Sequence, residues 1–168
     1  MNDFDPEQTA LVNKLAQALR ARGWQLATAE SCTGGLIAAA CTAVAGSSDW
    51  FKCGIVSYAN DAKTDLLDVP AALIAQHGAV SEAVAAAMAT GALQRTRTQR
   101  VVAVTGIAGP GGATPGKPVG TVWLAVAGRA SPADAIDVQC RSLYLGGDRA
   151  TVRRQTVMQA LRALIASL

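Results

Sequence analysis

At 168 residues and 17.1 kDa the chain is the size of a single domain, expected over 1–168, and its net charge of +3 on scattered Lys and Arg argues against nucleic acid as a main partner. No apolar run approaches the roughly 20 residues that span a bilayer, and the acidic start Met1-Asn2-Asp3-Phe4-Asp5 lacks a signal peptide's basic and apolar segments, so membrane insertion and export are not expected. Cys32, Cys41, Cys53 and Cys140 form no CxxC pair and read as thiols of a reducing, cytoplasmic compartment. A hydrophobic content of 51% with only 4% aromatic residues predicts tightly packed helix-on-sheet layers rather than an aromatic-rich core.

Leu11, Val12, Leu15, Ala16 and Leu19 recur at helical spacing, and Gly23 is a natural stop, so a first helix is predicted from Pro6 to Arg22. Trp24 to Thr28 alternates as a strand, and Leu36 to Val44 is an Ala-rich helical run. Trp50 to Ala59 reads as a second strand, followed by a short helix Asp61–Leu67 with Asn60 as its cap and Val69-Pro70 as its end. A short helical piece runs to Gln76, and Ser81 caps a long helix through about Thr96 with Val84, Met88 and Leu93 buried. Arg95, Arg97 and Arg100 cluster near the end of that helix, where cations complement its dipole. Val101–Val104 is the continuous apolar run of a central strand, and the Gly/Pro-rich stretch Gly106–Gly120 is a loop. Strands Thr121–Ala127 and Ile136–Tyr144 follow, and Gly146-Gly147-Asp148 opens a last helix to Leu168. The order predicts an α/β fold, a three-layer α/β/α sandwich with a mixed, mostly parallel sheet and one antiparallel strand.

Ala29-Glu30-Ser31-Cys32-Thr33-Gly34-Gly35 joins a strand to a helix and places two nucleophile-capable side chains at the junction. Unpaired N–H groups of a helix's first turn can stabilise an oxyanion there, and Gly34 and Gly35 suit close approach to the backbone. Read alone, Ser31 fits a helix cap equally well. A single histidine excludes a His-rich metal site, and a Ser-His-Asp triad would have to use His77, whose helix-end turn is better read as a terminal cation site; a serine can instead be activated by a lysine of lowered pKa. Lys63 lies in the first turn of a short helix, where dipole potential favours its neutral form, though a solvated lysine fits that position too. Gly111 to Lys117 has the glycine and lysine spacing of a Walker A loop, but Pro118 replaces the Ser/Thr that would hold Mg²⁺ and a strand follows, so the loop is better read as the wall of a pocket beside Val101–Val104.

Taken together, Ala29–Gly35, Tyr58-Ala59-Asn60-Asp61-Ala62-Lys63, Thr105–Gly112 and Lys117-Pro118-Val119-Gly120-Thr121-Val122 closely resemble the C-terminal domain of the competence/damage-inducible protein CinA, whose stand-alone, PncC-like members are nicotinamide-nucleotide amidases. The resemblance covers about Leu11 to Leu164 and omits the N-terminal domain of full-length CinA proteins. It implies hydrolysis of nicotinamide mononucleotide to nicotinate mononucleotide and ammonia, with Ser31 attacking, Lys63 taking its proton, Tyr58 orienting or relaying within that pair, and Thr105 completing the polar cluster. No metal or organic cofactor is implied. Thr33, Gly34, Gly35, Asn60 and Gly106 are expected around the substrate, with Arg141, Arg149 and Arg153 as candidate phosphate contacts. The implied partner is a small molecule, without nucleic acid or membrane, and a homo-oligomer such as a dimer is expected. The competing readings are an amidase acting on another small carboxamide and a non-catalytic nucleotide-binding module.

Overall fold

The structure is a computed structural model that describes residues 5–168; residues 1–4 of the acidic start lie outside the described residues. The first helix, α1, spans Pro6–Arg22: Asp5 caps it by accepting from the Glu7 N–H, Pro6 opens it, and Gly23 ends it at φ 64°. Strand β1 is Leu26–Glu30, later than the sequence predicted, because Trp24 still closes the helix by donating its N–H to Leu19 O. Helix α2 (Leu36–Thr42), strand β2 (Phe51–Val56), and helices α3 (Asn60–Leu67), α4 (Ala71–His77) and α5 (Glu82–Thr96) follow. Ser81 caps α5 as predicted, whereas α3 starts one residue early, making Asn60 its first residue and Ala59 its cap. The chain ends with β3 (Arg100–Gly106), β4 (Thr121–Gly128), β5 (Asp137–Tyr144) and α6 (Arg149–Ala166).

The strands form one sheet in the order β2-β1-β3-β4-β5. β1 pairs in parallel with β2 and β3, and β4 runs antiparallel to both β3 and β5, so β4 is the single reversed strand. One face packs against α1, α2 and α6 through Leu15, Leu19, Ile37, Val102, Val104, Leu161 and Leu164. The other packs against α3 to α5 through Ala27, Ala29, Leu67, Met88, Leu93, Val101 and Ala103. Small residues bring these layers close: a Cβ on Gly91 of α5 would lie 1.8 Å from Leu67 O at the end of α3. Truncating Leu67 or Met88 to Ala in such a core costs about 2–5 kcal/mol. Among the described residues no helix is long and apolar enough to cross a membrane.

Because β1, β2 and β3 run the same way, their carboxyl ends share one edge, where open α/β sheets place their ligands. Glu30 is level with both Val56 and Val104, and the ladder continues one residue further through Ser57 N to Glu30 O (2.9 Å) and Ser31 N to Val104 O (3.0 Å). Alternation along the strands then points Ser57, Ser31 and Thr105 toward the α3–α5 layer in a row.

Candidate active site

Lys63 reaches into this row from α3 and is 1% exposed. Its Nζ lies 3.2 Å from Ser31 Oγ, 2.9 Å from Ser57 O and 3.3 Å from Tyr58 O. Among the described residues no carboxylate forms an ion pair with it. Burial therefore dominates and lowers the Lys63 pKa below its ordinary 10.5, with a small opposing effect of the Cys32 thiol. In the neutral amine two N–H bonds serve the two carbonyls, which can only accept, and the lone pair is left facing the Ser31 hydroxyl. That is the arrangement of a base beside its nucleophile.

Ser31 is not the cap of α2. Gly35 holds that position at φ 96°, and the capping is done from a distance by Glu30, whose carboxylate is fully buried. Glu30 accepts from Thr28 Oγ1 (3.1 Å), Thr33 Oγ1 (2.6 Å) and the N–H groups of Gly35 (3.0 Å), Ile37 (3.0 Å) and Ala38 (2.8 Å). These bonds correct the expectation that the first-turn amides of α2 are free for an oxyanion: Gly35, Ile37 and Ala38 are taken by Glu30, Gly34 by Ser31 O and Leu36 by Thr33 O. Cys32, the neighbouring thiol, is pushed up to about 11, first by burial and also by the charge of Glu30, so it is protonated near neutral pH.

The other predicted residues divide. Tyr58 contributes its carbonyl to Lys63, but its hydroxyl accepts from Arg149 (2.7 Å) rather than meeting the Ser31–Lys63 pair, and its side chain is exposed. Thr105 stands beside Ser31 in register, yet its hydroxyl donates to Ala79 O (2.9 Å), since the turn before α5 comes closer than the nucleophile. Thr33 is buried with its hydroxyl donating to Glu30, so its side chain is committed within the turn. Gly34 and Gly35 have the left-handed φ values of 59° and 96° that the sharp turn needs. Gly106 is closely packed rather than open: a Cβ there would lie 2.7 Å from Val122 Cγ2 and 3.2 Å from Cys32 Sγ. Asn60 is exposed at the start of α3. Arg141 does not join the group: on β5 it alternates to the α6 side and lines a small cavity with Ala163 and Ala166. Arg149 donates to Gly109 O (3.0 Å) as well as to Tyr58, and both it and Arg153 line a cleft of about 510 Å³ between α6 and the loop Ala108–Val119.

The model of the CinA C-terminal domain matches residues 8–168. The chain belongs to the CinA C-terminal domain family. It is 48% identical over 160 residues to the nicotinamide-nucleotide amidohydrolase PncC of Escherichia coli K12, covering 95% of this chain and 94% of that one. It is 50% identical over 162 residues to a putative competence-damage inducible protein of Symbiobacterium thermophilum, covering 94% of this chain but 38% of that longer protein. The crystal structure of the competence/damage inducible protein CihA of Agrobacterium tumefaciens superposes with a TM-score of 0.93 at 44% identity, covering 99% and 98% of the two chains.

Within this CinA-type site, sequence reasoning missed two residues. Glu30 stood in the quoted motif without a role, and a glutamate between a buried strand and a glycine turn is a signal that a carboxylate must have amide partners. Ser57 was passed over although its carbonyl holds Lys63; its own Oγ is buried without a hydrogen-bond partner.

Proposed function

We propose that the protein hydrolyses the carboxamide of nicotinamide mononucleotide, releasing ammonia and nicotinate mononucleotide through an acyl-enzyme on Ser31. Ser31 Oγ bonds to the carboxamide carbon while its proton passes to Lys63 Nζ, and the carbonyl electron pair moves onto oxygen. Collapse of that adduct breaks the C–N bond as Lys63 protonates the departing nitrogen. Lys63 then takes a proton from the water that attacks the ester, and Ser31 is restored.

The observation that carries this reading is the partner set of Lys63: one hydroxyl and two carbonyl oxygens, without an acid. Full-length similarity to proteins named nicotinamide-nucleotide amidohydrolases supports the substrate class, and the cleft of about 510 Å³ lined by Arg149 and Arg153 has room for a ribose phosphate. Arg149 is the phosphate contact in this proposal, because it lines that cleft with an exposed guanidinium. A cytoplasmic setting is part of the same proposal, supported by four cysteines that remain free thiols.

Ammonia release over a panel of pyridine nucleotides and free nicotinamide tests the proposal. Ser31→Ala should abolish turnover of the mononucleotide and Cys32→Ala should keep most of it. The reverse pattern would make the thiol the nucleophile, and preference for another carboxamide would replace the substrate.

A further inference from the structure

The turn after β1 and the first residues of α2 make eight consecutive residues, Ser31 to Ala38, and the destinations of their amides single out two. Ser31 N–H goes to Val104 O, Gly34 and Leu36 bond within the turn, and Gly35, Ile37 and Ala38 serve Glu30. Cys32 and Thr33 alone have no oxygen partner for their N–H groups among the described residues. We propose that these two amides are the oxyanion donors of the reaction, and that Glu30 and Arg153 are the positioning residues that aim them. The proposal rests on Ser31 being the nucleophile.

Peptide planarity sets the aim. In a trans peptide the C=O of one residue and the N–H of the next point to opposite sides. Arg153 Nε donates to Cys32 O (3.1 Å), which turns the Thr33 N–H away from α6, and Arg153 Nη2 fixes the next carbonyl, Thr33 O (2.8 Å). Ser31 O accepts from Gly34 N (3.0 Å), which turns the Cys32 N–H outward from the turn in the same manner. Glu30 holds the far side through Thr33 Oγ1 and the amides of α2, so the strand end and the helix start cannot separate. Both N–H groups face the Cys32 thiol, which with its pKa raised to about 11 stays protonated and is a weak acceptor. When Ser31 Oγ adds to the substrate carbon, the oxygen that gains the electron pair becomes a far better one.

Arg153 thereby separates from Arg149, although both line the same cleft. Its guanidinium is committed to two carbonyls of the nucleophile turn, and a Cβ on Gly34 would lie 3.4 Å from its Nη2.

The test compares wild type with Arg153→Met and Thr33→Val, because Glu30→Gln would leave α2 amides unpaired in the interior and could fail to fold. The probes are the amide substrate, the carboxylate product, and an analogue carrying an aldehyde in place of the carboxamide. Ser31 adds to the aldehyde to give a hemiacetal whose oxygen sits where the oxyanion forms. Outright loss of one oxyanion donor lowers kcat about 10²–10³-fold, so displacing both through Arg153→Met should lower it about ten- to a hundredfold. KM and product affinity should stay within about twofold, aldehyde affinity should fall by the factor seen in kcat, and Thr33→Val should show the same pattern more weakly. If Arg153→Met instead raises KM and weakens product binding at unchanged kcat, Arg153 is a phosphate ligand and the proposal fails. Unchanged kcat and aldehyde affinity overturn it as well. Equal aldehyde affinity in wild type and Ser31→Ala would instead remove the nucleophile, a separate failure that these variants keep distinct.

Discussion

The two strand-to-helix turns that flank the site are electrically opposite. After β1 the chain offers amide N–H groups, three of them gathered by the buried carboxylate of Glu30. After β2 it offers carbonyl oxygens, those of Ser57 and Tyr58, gathered by the buried amine of Lys63. Parallel neighbours lie about 4.8 Å apart, so a donor-rich turn and an acceptor-rich turn sit side by side without a long loop. β4 runs the other way, and its carboxyl end, Gly128, is carried to the far edge of the sheet. In the proposed reaction the base and the oxyanion site thus come from two adjacent parallel strands, while the antiparallel part of the sheet supplies packing.

The most severe way to break this comparison is to make the acceptor-rich turn hold a permanent cation. Lys63→Arg keeps the charge but cannot release a proton near neutral pH, so ammonia release should fall by about 10²–10⁴-fold, close to the loss in Lys63→Ala. Circular dichroism and thermal unfolding would check that the variant remains folded. An active Lys63→Arg enzyme would mean that the residue supplies charge rather than proton transfer.

The same amine ties activity and stability to pH. If Lys63 is the base of the proposed reaction it works in its neutral form, and kcat/KM should fall as pH drops through its lowered pKa, placing the acid limb below 10.5. For stability the sign is fixed by linkage. With the folded pKa lowered, the unfolded chain binds more protons between that value and 10.5, so stability from this group rises with pH across that window. At neutral pH the buried amine is a net cost, and Lys63→Met should raise the melting temperature there while abolishing turnover. A melting temperature unchanged or lowered by Lys63→Met would show that the hydrogen bonds to Ser57 and Tyr58 outweigh desolvation.

What could be read from the sequence follows the range of the physical signal. The Gly23 stop, the Ser81 cap and the apolar run Val101–Val104 are local, and each lies where the sequence predicted. Ser31 and Lys63 were legible as chemistry, and the structure brings them together. The destinations of side chains were not legible, because they depend on which element packs closest. Asn60 suits a helix cap, but the ladder extends β2 only to Ser57 and α3 begins early, leaving Ala59 in that role. Thr105 is at the right strand end with its hydroxyl drawn to Ala79, and Tyr58 meets Arg149 across 91 positions of sequence.

A milder perturbation sharpens the division between arginines that bind and arginines that brace. Arg149→Ala should lower kcat/KM for the mononucleotide at least about tenfold, since a charged hydrogen bond is worth about 1.5–3 kcal/mol, and should matter little for free nicotinamide. Arg141→Ala, on the α6 side of β5, should leave both substrates unaffected. Equal losses on phosphorylated and unphosphorylated substrates would make Arg149 a structural clamp between Gly109 and Tyr58.

The smallest expected effect falls on Tyr58, and it decides whether that residue belongs to the acceptor-rich turn through its backbone or through its ring. The backbone carbonyl bonds Lys63 whatever the side chain, whereas among the described residues the hydroxyl meets only Arg149. Tyr58→Phe deletes that one exposed hydrogen bond and keeps the ring, which corresponds to about 0.5–1.5 kcal/mol or a loss of roughly two- to tenfold. The loss should appear in KM for the mononucleotide, through a less well-held Arg149, with kcat and the acid limb of the pH profile unmoved. A proton relay through the hydroxyl would behave differently, lowering kcat by about 10²-fold or more and altering the pH profile. Steady-state kinetics of this one variant across pH separates the two roles.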